Sequence, residues 1–290
     1  MAAILQPSRR EALRITTGGA VAAVLRKALH DSRRMILWLA IGLGLYALFI
    51  MAYYPTIIDQ SEKYDELLES YPKEMLAMFY SGDPAELSFS EPGNWVHGEF
   101  MLWTELIMGA MVIAQAFNSV TNAERDNTLD VMLSFPVSRR AYLVGRILNT
   151  AITILLVLTA CFLVFVASKY LWPEFDVSLW RLALGIYGAF LPLMVVAGFT
   201  YLLATVVPSS RHFAGALAYL FLMGSYLVYS FALAIDKLHV LQPVFLFDYY
   251  NSGLTIREGA DLPRWGVLAA VALAYIALAW WRVDKKELVV

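Results

Sequence analysis

Residues 182–235 read LALGIYGAFLPLMVVAGFTYLLATVV, then PSSRH, then FAGALAYLFLMGSYLVYSFALAI. Two apolar runs, 182–207 and 213–235, flank a joint made only of Pro208-Ser209-Ser210-Arg211-His212. Each run is long enough for a helix to cross a bilayer, which takes about 20 apolar residues. The joint has room for a tight turn and nothing more, so the two helices form an antiparallel hairpin in a membrane. Four further runs reach or approach the same length: 35–54, 100–120, 143–167 and 265–281. The sequence predicts an all-α, polytopic membrane protein with six transmembrane helices.

Composition agrees. Of 290 residues, 60% are apolar and 16% charged, and the mean hydropathy is +0.61. A soluble domain is roughly 45–50% apolar and about 25% charged. A water-soluble enzyme or a nucleic-acid binder is excluded, and a net charge of −2 offers nothing to a polyanion. The single cysteine, Cys161, sits in an apolar run and reads as a buried thiol. No Cys–His spacing suited to a metal occurs.

Lys and Arg set the orientation. Fifteen of the 22 fall in the N-terminal lead, the loop after the second run, the turn after the fourth and the C-terminal end. Both termini are therefore expected in the cytoplasm of a multi-pass plasma-membrane protein. A basic lead and the lack of a small-residue cleavage site make the first run a signal anchor rather than a removed signal. The organisation expected is a lead at 1–34 and a six-span domain at 35–290. Within that domain lie an external loop at 55–98, a cytoplasmic loop at 121–142 and an external segment at 236–264.

In the lead, Val21, Val24, Leu25, Ala28 and Leu29 share one helical face, and Arg26, Lys27, His30 and Arg33 take the other. That pattern predicts an amphipathic helix lying in the cytoplasmic membrane interface. In the first external loop, Ile57, Ser61, Tyr64 and Leu68 predict a helix above the membrane.

The loop after the second run begins Asn122-Ala123-Glu124-Arg125-Asp126-Asn127-Thr128. Asn127 or Thr128 caps a short helix, which ends near Phe135 because Pro136 cannot continue it. Leu129, Met132 and Leu133 form its apolar face. Periodicity leaves two destinations for that face, the membrane surface or a groove on another protein. Ser138 caps the next helix, entered past Arg139 and Arg140.

This loop resembles the cytoplasmic segment of ABC-2 type transporter permeases. The resemblance rests on Glu124, Thr128-Leu129, Met132-Leu133 and Pro136-Val137-Ser138-Arg139, with Gly145-Arg146 beyond. Asn127 stands where the family commonly has glycine, and Asn also tolerates the left-handed conformation. A second resemblance lies in Gln242-Pro243-Val244-Phe245-Leu246-Phe247-Asp248-Tyr249-Tyr250, with Gly253 beyond, similar to the family's Ser-Pro-Phe-x-Tyr-Phe-Asp segment. The resemblance implies a permease dimer, formed with a second copy or a related permease, in which each permease binds one ABC ATPase subunit. ATP and Mg would then be held by that partner and no cofactor by this chain. Glu124, Thr128, Leu129, Met132, Leu133, Pro136 and Arg139 would make the ATPase-coupling element. No Gly-x-x-x-x-Gly-Lys-Ser/Thr occurs in the 290 residues.

Ionisable groups within a span are costly and face a bundle interior or a wet cavity. Glu105 is such a group, sharing a face with Met108, Val112, Gln115 and Ser119, with Asn118 beside it. In the fifth run Tyr219, Met223, Tyr226 and Ser230 form a second stripe. Glu105, Gln115, Asn118, Tyr219 and Tyr226 are candidates for a translocation path or a dimer seam, with a contact inside one subunit as the alternative. A membrane-embedded enzyme would draw on Glu99, Glu105 and His30, His97, His212 or His239, but neither His-Glu-x-x-His nor paired carboxylates occur. A passive channel would show a repeated polar filter or inverted repeats, and neither is visible. An ATP-driven exporter fits best; an apolar, Tyr- and Met-containing interior would suit amphipathic or lipid-like cargo, and drug, peptide, lipid and polysaccharide all stay open.

Overall fold

The computed structural model describes residues 17–72, 76, 88, 90–122, 137–207, 213–234, 240–241 and 243–285. It is helical, with no strand among the described residues. Six segments are long and apolar enough to cross a membrane: Gly18–Asp59, Pro92–Val120, Arg139–Leu171, Leu179–Val206, Phe213–Ala232 and Leu262–Lys285. They are the six spans that the apolar runs predict. An even number brings the start of the first span and the end of the sixth to one side, called here the terminal side.

Helix α1 (Thr17–Asp59) holds span one. Its 43 residues reach about 65 Å at 1.5 Å each. The hydrocarbon layer is about 30 Å thick, so α1 extends well beyond it. This corrects one expectation: residues 20–34 are not a separate interfacial helix but run into span one without a break. Their apolar face is covered by protein. Ala20, Val24 and Ala28 are buried, and a Cβ placed on Gly145 in span three would lie 2.7 Å from Val24 Cγ1. The period identifies the face, and a residue far away in sequence supplies its partner. Past Gln60, α2 (Ser61–Ser70) buries Leu68 on the face expected of it.

Span two is α3 (Pro92–Val96), a π-helical turn (His97–Met101), α4 (Leu102–Phe117) and a second π turn (Asn118–Asn122). It is the most enclosed of the six, with 72% of its most apolar window buried against 17% for span six. Span three, α5 (Arg139–Leu171), begins at the expected cap: the Ala141 N–H donates to Ser138 Oγ at 3.1 Å. It lies along α1. Away from the terminal side, Tyr54, Phe100, Phe165 and Phe175 join spans one, two and three. Edge-on ring pairs lie 5.0 Å (Phe100–Phe165) and 5.6 Å (Tyr54–Phe175) apart.

Span four divides into α6 (Leu179–Tyr187) and α7 (Phe190–Val206). Pro192 has no N–H to offer the Gly188 carbonyl, which accepts instead from the Leu191 N–H at 3.1 Å. Pro192 thus leaves a break in span four one turn before it. Helices α8 (Phe213–Ala234), α9 (Ser252–Glu258) and α10 (Leu262–Arg282) complete the chain. Gly198 brings α7 close to α10: a Cβ there would lie 3.1 Å from the Ala272 carbonyl oxygen. Small residues at such crossings let helices approach without help from the hydrophobic effect.

Candidate functional site

Three polar residues of α4, Thr104, Glu105 and Gln115, are buried. Glu105, Met108, Val112, Gln115 and Ser119 are all buried, as their shared face predicts. Near the terminal side, Gln115 Nε2 donates to Ser32 Oγ at 3.2 Å and to Thr153 Oγ1 at 3.3 Å, and Asn149 Nδ2 donates to the same Ser32 oxygen at 3.3 Å. Spans one, two and three are knotted there. Glu105 lies near the other end of α4 and is 4% exposed. Beside it is a cavity of about 10 Å³ walled by Pro192, Leu193, Val196, Leu222, Leu246 and Phe247. Among the described residues Glu105 Oε1 has no hydrogen-bond partner. The chain's own helices therefore cover both Glu105 and Gln115.

The remaining candidates separate. Asn118 is exposed. Tyr219 is exposed too, and its hydroxyl donates to the Ala110 carbonyl at 3.2 Å. Tyr226 is half-buried, edge-on to Phe247 at 5.8 Å. Only Tyr226 thus approaches the wall of the Glu105 cavity. In the coupling element, Arg139 occupies the first turn of α5. Glu124, Thr128, Leu129, Met132, Leu133 and Pro136 lie outside the described residues.

A roof opposite the terminal side was not anticipated from the sequence. It joins α3, the first π turn, α6 and α9, and beside it the 3₁₀ turn Leu246–Asp248 packs on α8. His97 Nδ1 and Ser252 Oγ share a buried hydrogen bond of 2.8 Å. The Tyr250 hydroxyl donates to the Gly185 carbonyl, and Arg181 donates to the Arg257 carbonyl. Burial, and then the charge of Glu105, hold the Tyr250 hydroxyl well above its ordinary pKa, so it remains a donor. Glycines permit the close packing: a Cβ on Gly93 would lie 2.9 Å from the Gly253 carbonyl oxygen. Two sequence signals mark the roof's edges. Asn251 Oδ1 caps α9 at Leu254 N (2.9 Å), and Asp261 Oδ1 caps α10 at Arg264 N (3.1 Å).

A family model described as "ABC-2 family transporter protein" matches residues 22–288. The chain belongs to the ABC-2 transporter family. Among curated proteins, none matches. As an ABC-2 chain with six spans it is a multi-pass membrane transport component, a permease. The match includes the Glu105 cavity, the roof and the whole loop at 121–142. In this ABC-2 permease the two π turns fall at the two ends of α4, the helix carrying both Glu105 and Gln115. Such turns are rare and are frequent at functional sites.

Proposed function

We propose that this chain is the permease subunit of an ATP-driven exporter. It pairs with a second permease copy, identical or related, and each copy holds one separate ABC ATPase subunit that carries ATP and Mg. Both termini face the cytoplasm, and substrate crosses the plasma membrane. The observation that carries this reading is the family match over residues 22–288. The lack of a phosphate-binding loop in the 290 residues supports a separate energy source.

The loop at 121–142 is where the ATPase docks. Leu129, Met132 and Leu133 enter its groove as one apolar face, and Glu124, Thr128, Pro136 and Arg139 bound that helix. ATP closure of the ATPase pair then moves the entry of span three. Two contacts carry the motion onward. Val24 lies against Gly145, so the lead half of α1 follows span three. The Gln115–Ser32–Asn149 knot joins span two to both.

Leu133→Arg places a charge in the docking face without touching the spans. Purified from its own host in a mild detergent, the wild-type chain retains an ATPase and the variant loses it about ten-fold, the loss that 1.4 kcal/mol produces. Undiminished ATPase retention by Leu133→Arg overturns the docking assignment.

A further inference from the structure

The Glu105 cavity holds a polar demand that the described residues do not meet. A carboxyl with one oxygen unpaired inside a membrane bundle costs several kcal/mol. A cavity of about 10 Å³ has room for about one water. Its remaining walls are the pyrrolidine of Pro192 and the side chains of Leu193, Val196, Leu222, Leu246 and Phe247. None of these side chains donates a hydrogen bond or carries positive charge.

Two parts of the wall have weak helical support, while Leu193, Val196 and Leu222 stand within α7 and α8. Leu246 and Phe247 belong to a three-residue 3₁₀ turn rather than a span. Pro192 stands in the first turn after the break in span four, where the helical ladder is interrupted. Both walls can withdraw without unwinding a helix. The turn lies opposite the terminal side, and Tyr250, two residues past it, packs its ring against Gly188 in the break and donates to the Gly185 carbonyl of α6.

The chemistry of an occupant follows. An anion meets no positive charge in this wall and opposes ionisation of the carboxyl, whereas a cation favours it. A sugar would bring several hydroxyls to a wall with one acceptor group, and each unpaired hydroxyl costs about 1–3 kcal/mol. An apolar body carrying one cationic group satisfies both the carboxylate and the apolar wall. We infer that Glu105 receives the cationic headgroup of an amphipathic substrate, and that Leu246 and Phe247 close over it from the side opposite the termini. This deepens the permease reading and rests on it.

The test uses membranes containing the full chain, treated with the carboxyl reagent dicyclohexylcarbodiimide and mapped by mass spectrometry. Labelling is followed with dodecyltrimethylammonium or dodecyl sulfate present, both below solubilising concentration. The site predicts labelling at Glu105, absent in Glu105→Gln, that the cation slows about ten-fold and the anion leaves unchanged. Phe247→Ala removes the cover and speeds labelling. Equal protection by the two amphiphiles, or none by the cation, overturns the inference, as does a Glu105 unlabelled in both wild type and Phe247→Ala. Retention of the ATPase by the same membranes reports separately on the permease reading. Cation protection without any ATPase keeps the headgroup site and removes the exporter, whereas ATPase retention without protection does the reverse.

Discussion

Gln115 makes two interhelical hydrogen bonds yet leaves its own Oε1 unpaired. In a membrane each such bond is worth about 0.6 kcal/mol on average, and an apolar replacement also removes the unpaired acceptor. Gln115→Leu is therefore expected to cost less than about 1 kcal/mol. Gly188 has no side chain, but a Cβ there would lie 2.4 Å from the Tyr250 ring, 2.7 Å from the Trp265 ring and 2.8 Å from the Leu184 carbonyl oxygen. Neither the rings nor the backbone can yield cheaply, so Gly188→Ala is expected to cost about 1–3 kcal/mol. Thermal unfolding of both variants in one detergent checks the order. A larger loss for Gln115→Leu would mean that the polar knot, not the roof, is the tighter constraint. The sequence distinguishes these positions poorly. Gln115 is conspicuous because it is polar in an apolar run, whereas Gly188 is one glycine among 17.

At the scale of helices, the packing of the lead against span three decides between two arrangements. If residues 20–34 lay flat in the interface, Gly145 would have open space. In the structure a Cβ at 145 already lies 2.7 Å from Val24 Cγ1, whereas a Cβ at Gly42 meets nothing within 4 Å. Gly145→Val is expected to lose about 1–3 kcal/mol and Gly42→Val to stay within about 0.5 kcal/mol. Trypsin offers a local readout at Arg26 and Lys27, where cleavage should speed up in Gly145→Val alone. Equal cleavage in both variants would restore the interfacial arrangement. What was legible here follows from what local sequence encodes. Span existence, the Ser138 cap and the buried face of α4 each depend on residues within a turn or two. The partner of the lead helix and the His97–Ser252 bond join residues far apart in sequence, and no period records them. The Glu105 cavity lies between the two cases, since its carboxyl was visible and its walls were not.

Across the whole molecule, the last span meets the third where the docking loop ends. Arg140 Nε lies 2.7 Å from Asp284 Oδ2, and its guanidinium stands 4.1 Å from the centre of the Trp280 ring. The charged partners are 41% and 45% exposed, so solvent screens the pair. An exposed ion pair contributes about 0.2–1 kcal/mol and an exposed cation–π contact about 0.5–1 kcal/mol. Together they amount to a clamp of under about 2 kcal/mol, small beside the covalent continuity of a span. Double-mutant cycles between Arg140→Gln and each of Asp284→Asn and Trp280→Leu are expected to return couplings in those ranges, the Asp284 coupling shrinking as salt rises. A coupling above about 3 kcal/mol would require a desolvated pair and would fix span six rigidly to span three. The weak clamp has the opposite consequence for the proposed cycle. Motion delivered to residues 139–146 reaches α1 through tight packing at Gly145, whereas the Arg140 clamp links span three to span six through an exposed contact. Span three and the lead helix are then expected to move as one body, leaving span six free to part from them.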